Sequence, residues 1–318
     1  MTDAPTARSG AAPRHARWKL YVPLGIAVAL LLAYTVLWLS GARVMRAEID
    51  AWTAREAAEG RIAQHGSVSV RGYPGSLRAV IDAPVWLDPD GGRAWRAETL
   101  LVIAQPVSPR TLLLVPRGAQ EVVIGERTYD LRADDLRVSL SRTDTAMQAE
   151  NLTASSEAET LTLGLGRANW TASEAGEALL FELRDAVLTD AGGPLSAALF
   201  RGAMSAAPGR DLSLDGFEAA LRTDEEDRPV RVAGEGALGL DRAGALDGKL
   251  TVSVADPVAV LDLLSARGIV AADQASLAAS VAPMFAGEDG TVMVPLTFDG
   301  GAMSAAGFPL ATIPPLGG

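Results

Sequence analysis

Apolar and polar positions alternate in three regimes along this 318-residue chain. The first is an unbroken apolar stretch. From Leu20 to Leu39 no charged residue occurs, and twenty residues at the helical rise cover the roughly 30 Å hydrocarbon thickness of a bilayer. Pro23 falls in the first turn, where its missing N–H has no intrahelical partner to lose. The second regime, Arg43 to Glu59, is rich in helix formers and places Met45, Ile49 and Trp52 on one face. Arg46 with Asp50, and Arg55 with Glu59, stand at the i,i+4 spacing of helix-supporting ion pairs, and Gly60 is a natural stop. That face is expected to pack on the folded domain.

After Gly66 the period changes to two, the mark of β-strands. Val68 and Val70 alternate, and Leu77 to Leu87 follows the turn Gly72-Tyr73-Pro74-Gly75. Leu100 to Ala104 and Thr111 to Val115 are continuous apolar runs separated by Pro106 and Pro109, which predicts short strands buried on both faces. Elsewhere the alternation slips by one: at Asp134-Asp135 between Leu131 and Leu136, across Gly166 between Leu165 and Ala168, and across Gly216 between Leu214 and Phe217. A bulge restores the facing after each slip, and bulged strands bend. Val230 and Val232, then Leu250, Val252 and Val254, continue the pattern. The expected fold is mostly β: a long curved antiparallel sheet, preceded by one transmembrane helix and a juxtamembrane helix. Near the C-terminus Asp256-Pro257 announces a helix with its N-cap and first-turn proline, and Asp273 to Phe285 a second, together a helical hairpin. Val292, Val294, Leu296 and Phe298 then return to strand.

The division this implies is a cytoplasmic tail at 1–19, an anchor at 20–40, a juxtamembrane helix and linker at 41–65, and a β-rich periplasmic domain at 66–318. Arg8, Arg14, Arg17 and Lys19 face only Asp3 ahead of the anchor, so the positive-inside bias holds the N-terminus in the cytoplasm. Cleavage after Ala42 is the competing reading, because Ser40-Gly41-Ala42 has signal-peptidase spacing. The apolar stretch exceeds a signal h-region of about 7–15 residues, and Trp18, Tyr21 and Trp38 mark its ends, which favours retention.

Charge and inventory narrow the chemistry. Four of the 28 basic residues and one of the 39 acidic residues precede Arg43, which leaves the remainder at about −14. Nucleic acid is therefore not an expected partner, and the domain is expected to stand away from anionic headgroups. The absence of cysteine removes disulfides, thiol nucleophiles and thiolate metal sites. His15 and His65 are the only imidazoles, and His65 alone lies beyond the anchor, in a Gly-flanked loop, so neither a Ser-His-Asp site nor a histidine metal site is expected. Asp134-Asp135, Asp224 to Asp227 and Glu288-Asp289 are the visible carboxylate clusters; adjacent acids on a strand point to opposite faces, and the other two read as turns. No catalytic, cofactor-binding or metal residue is singled out, no cofactor is expected, and the chain is expected not to be an enzyme.

The anchor with its Trp52-containing helix, the Gly72-Tyr73-Pro74 turn, and Val294-Pro295-Leu296-Thr297-Phe298-Asp299-Gly300 followed by Gly307-Phe308-Pro309-Leu310 resemble one family over most of the chain. It is the uncharacterised bacterial membrane-anchored proteins grouped as domain-of-unknown-function family twenty-one twenty-five. In this chain Gly75-Ser76 stands where an aromatic and a basic residue are common. The resemblance implies an inner-membrane anchor and a β-rich periplasmic domain; it supplies no activity, since the family has none assigned. Three functions follow as expectations: a non-enzymatic envelope scaffold that holds a protein partner, a lipid-binding or lipid-transport protein using the apolar curved sheet, and a carboxylate-based envelope hydrolase. The bilayer is the partner of the anchor in all three. In the lipid reading, 100–104 and 111–115 line a groove open to the bilayer.

Overall fold

A computed structural model describes residues 18–105, 108–174, 176–206, 213–222, 229–240, 245–287, 290–305 and 307–313. The expected anchor and juxtamembrane helix form one element, α1 (Trp18–Ala58), 41 residues long and unbroken through Pro23. Its length and composition suffice to cross a membrane. Residues 21–33 are exposed on every side, whereas from Tyr34 onward one stripe is covered: Tyr34, Trp38, Gly41, Ala42, Met45, Ile49 and Thr53. The spacing of three and four is that of one helical face. Gly60, with φ of 79°, takes the left-handed conformation after the helix end. The expected i,i+4 pairs do not form: Arg55 reaches back to Glu48 at 3.9 Å, and Glu59 pairs with Arg61.

Among the described residues eighteen strands follow as one antiparallel sheet. β1 (Ile62–Gln64) and β2 (Val68–Arg71) pair with β4 (Val85–Asp88) and β3 (Leu77–Asp82), and β3 and β4 share the two halves of β5 (Arg93–Gln105). β5 pairs with β6 (Ser108–Ile124), whose two halves carry β8 (Asp135–Leu140) and β7 (Arg127–Arg132), and both of these pair with β9 (Asp144–Ser155). A meander continues through β10 (Thr160–Ser173), β11 (Gly176–Asp190), β12 (Gly193–Ala206), β13 (Ser213–Arg222), β14 (Val230–Leu240) and β15 (Leu246–Val254). It ends with β16 (Val292–Asp299), β17 (Ala302–Ala305) and β18 (Phe308–Thr312). At ~4.8 Å per strand this sheet measures roughly 65 Å along its surface.

The phase slips have three different structural forms. At Asp134 the strand stops and restarts, which separates β7 from β8. Across β9, β10 and β11 the reversal occurs at Asn151, Gly164 and Asp185, two residues before Gly166; Asn151 and Asp185 have φ of 48° and 49°. Leu163 and Gly166 thereby reach the same face, since a methyl placed on Gly166 would meet Leu163 at 3.0 Å. At Gly216 the expected bulge is present, with a register shift between Leu214 and Gly216.

The sheet is a single layer. Each buried cluster gathers side chains of adjacent strands; among the described residues α1 covers two of them and one further helix a third, while the cluster of Ala149, Leu163 and Ala186 is formed by strands alone. α1 lays Trp38, Ala42, Met45 and Ile49 over Leu77, Ala79, Ile81, Val102 and Ala104. Gly41 permits this approach, because a methyl there would stand 2.9 Å from Leu77 Cδ1. At the far end α2 (Pro257–Ala266) contributes Val260 to the cluster of Leu250, Val252, Val254 and Phe298. Its N-cap is the expected one: Asp256 accepts a hydrogen bond from the Ala259 N–H at 3.1 Å. Arg267, after its last turn, donates to Asp190 at 3.0 Å and to the Gly193 carbonyl at 2.5 Å, which fastens α2 to the β11–β12 turn. The Gly192 N–H and then Arg267 hold the Asp190 carboxyl below the usual range. α3 (Ala272–Val281) is shorter than expected; Ala282 keeps helical dihedrals, Pro283 after it has no N–H to donate, and Ala282–Phe285 forms a 3₁₀ turn.

Candidate functional site

The acidic and histidine candidates are placed apart. His65 is half-buried with Nδ1 2.9 Å from the Gly66 carbonyl oxygen. Asp134 accepts from Asn151 Nδ2 at 2.8 Å, and Asp135 pairs with Arg137 at 2.6 Å. Asp224 to Asp227 and Glu288-Asp289 lie outside the described residues. Among the described residues no three His, Cys, Asp or Glu side chains gather to hold a metal ion. The most perturbed carboxylate is structural: Glu56 accepts from Arg61 Nε at 2.5 Å and from the Trp86 indole at 2.9 Å. Arg61, and after it Trp86, hold its pKa down to about 2 and tie the end of α1 to β4.

What the register assembles instead is a lane across the sheet. In an antiparallel pair directly opposed residues share a face. Starting from Val70, the opposed partners are Ala79, Val102, Leu114 and Val138. The row goes on through Met147, Ala168, Phe181 and Gly202. It finishes with Phe217, Gly234, Val252 and Val294. No polar side chain interrupts it. A parallel row runs from Leu77 to Met303 with Thr145 as its single hydroxyl, passing Leu140, Trp170, Leu179 and Met204. Two glycines keep the lane level: Phe181 lies where a side chain on Gly202 would go, and Phe217 where one on Gly234 would go. Phe200 bridges these rings at 5.3 and 6.4 Å.

Cover differs along the lane. Under α1, Ala79 is fully buried and Val102 is 8% exposed; at the far end Val252 is 8% exposed. Between the helices no helix among the described residues packs on the face; Met147 is 43% exposed, while the neighbouring row packs on itself and buries Ala149, Leu163 and Ala186. The continuous runs at 100–104 and 111–115 thus differ from expectation: Val102, Ala104 and Leu112 are core under α1 and line no open groove, while Leu101, Ile103 and Leu113 are half-buried on the opposite face. The open position Met147 lies three strands further along the row, on β9.

The opposite face is mixed, a charged row flanked by apolar residues such as Leu113 and Leu180. Arg137, Gln148, Arg167, Glu182, Arg201 and Glu218 oppose one another in register, with Arg201 paired to Glu218 and Glu182 to Arg184. Small residues beside this ladder, Ala146, Ala203 and Gly216, leave a hollow of about 740 Å³ bordered also by Leu113 and Leu180. Sequence reasoning found the strands and their alternation but missed the lane, whose only signal was that one parity of every strand from Val68 to Phe298 is apolar.

Neither a curated protein nor a solved structure matches the chain. A family model described as an uncharacterized protein conserved in bacteria, DUF2125, matches residues 38–314, from the covered stripe of α1 to the last strand, and the chain belongs to that family.

Proposed function

We propose that this protein is anchored in the bacterial inner membrane by α1, with its sheet in the periplasm, and that it holds lipid acyl chains on the uncovered middle of the apolar lane. One observation carries the reading: thirteen successive strand positions present an apolar face, and among the described residues helices cover only its two ends. A sheet face of this composition is normally buried against a second layer. An acyl chain is an apolar cover that demands no directional partner, as the lane offers none. The charges ahead of Leu20 orient the anchor.

Native mass spectrometry of the full chain after extraction in mild detergent tests this. Phospholipid or fatty acid is expected to copurify with the parent protein and to fall several-fold in Phe181→Asp; parent protein free of lipid would sink the reading. A scaffold role is favoured by a separate observation: the helical hairpin exposes Leu277, Met284 and Phe285 at 68%, 81% and 70%. Crosslinking in cells that returns one recurrent protein through that hairpin would support it, and a chain recovered alone would count against it.

A further inference from the structure

The covered stripe of α1 starts inside the uncharged segment, and what covers it there is the turn between β2 and β3. The Tyr34 hydroxyl donates to the Pro74 carbonyl, the Thr35 and Tyr73 hydroxyls lie 2.7 Å apart, and the Tyr73 ring meets Trp38 edge-on at 5.6 Å. Tyr34 precedes Ser40 by six residues, about 9 Å along the helix axis. If α1 spans the bilayer, Gly72-Tyr73-Pro74-Gly75 is therefore held below the polar boundary on the side of the domain. The turn suits that depth: it carries no charge, and two of its oxygens bond to α1 without water.

A second observation lies one step higher. Arg71 and Arg78 are directly opposed across β2 and β3, an arrangement of like charges that destabilises a strand pair. Both are exposed, and neither has a carboxylate partner among the described residues; Arg78 Nε donates to Ser76 Oγ at 3.0 Å. Arg71 is two residues from Tyr73, roughly 7 Å of strand, which returns it to the level where the uncharged segment ends. Two cations are thus set at headgroup depth on an otherwise acidic domain, where phosphate would relieve their repulsion. Leu77, between them and the turn, packs on Trp38 and heads the second apolar row.

We infer that the β2–β3 hairpin is inserted in the leaflet facing the domain, with Arg71 and Arg78 on phospholipid phosphates, and that acyl chains pass from this leaflet to the lane beside it. The second half rests on the acyl-chain reading given above; the first does not. The chain has no cysteine, so single-cysteine probes report one position each. Full-length Tyr73→Cys and Asp90→Cys, labelled with a fluorophore in phosphatidylethanolamine–phosphatidylglycerol vesicles, are expected to differ: nitroxide-labelled lipid quenches position 73 several-fold more than position 90. Quenching of position 73 by aqueous iodide alone overturns insertion. In vesicles containing a phospholipid with a photoactivatable acyl chain, crosslinks are expected on the lane strands β9 to β12. They should fall at least threefold in Arg71→Glu/Arg78→Glu, or in Arg71→Gln/Arg78→Gln should the first double variant melt early. Unchanged crosslinks with position 73 still quenched overturn the entry route and leave the lipid reading intact; no lane crosslink in the parent protein overturns both, while insertion stands.

Discussion

Val102 and Met147 occupy the same register row on the same face of one sheet, yet one is buried under α1 and the other is open to solvent. Residue type does not separate them; what separates them is a helix. Where α1 lies on the sheet, the apolar lane is a folded core and its side chains hold the domain together. Beyond the reach of that helix, at Met147, the same chemistry stands open. The stability of this protein and its proposed activity are thus two uses of one pattern, divided by the reach of a single helix.

The sharpest way to break this comparison is to place one charge in each region. Val102→Asp buries a carboxylate without a partner and is expected to cost about 4 kcal/mol or more, abolishing the folding transition in thermal melts. Met147→Asp is expected to shift stability by less than about 1 kcal/mol, because its carboxylate stays hydrated, while reducing copurified lipid. Equal destabilisation by the two would remove the distinction between core and open lane.

Lifting the helix gives a smaller effect. Gly41→Val drives a branched side chain into Leu77 and is expected to cost about 1–3 kcal/mol in denaturant unfolding, with the loss suppressed when Leu77→Ala is added. At the other covered end Asp256→Ala removes the cap of α2 and is expected to cost about 1 kcal/mol.

The smallest effect concerns the join between helix and sheet. The Glu56 carboxyl is held at about 2 in the folded protein, below its ordinary value of 4.5, by Arg61 and then Trp86. Its contribution is complete above pH 4.5 and is lost as the pH falls through about 2. Trp86 indole resonances followed by NMR are expected to stay fixed at pH 4 and move near pH 2, and Glu56→Gln should shift them at neutral pH.

Much of the architecture was legible in local chemistry. The uncharged run from Leu20, the cap at Asp256-Pro257, the stop at Gly60 and the bulge at Gly216 each follow from rules that act within a few residues. The runs at 100–104 and 111–115 misled for a definite reason: a continuous apolar run reports low polarity on both faces and does not say which face a distant helix will take. The reversal assigned to Gly166 fell at Gly164 because its opposed neighbours, Asn151 and Asp185, share the strain, and those neighbours come from strands the local pattern cannot align.

By itself the sequence determined the kinds of element and the alternation of most strands, since helix length, turn residues and alternation are properties of contiguous residues. It also determined the classes of chemistry for which this inventory lacks the residues. Only the tertiary structure decided that thirteen separate apolar parities fall in one register row, that α1 covers its beginning and α2 its end, and that the Tyr73 turn reaches Thr35. The reason is physical: register and cover depend on which strands are neighbours, and pairing is fixed by the free energy of the whole sheet instead of by any segment of it.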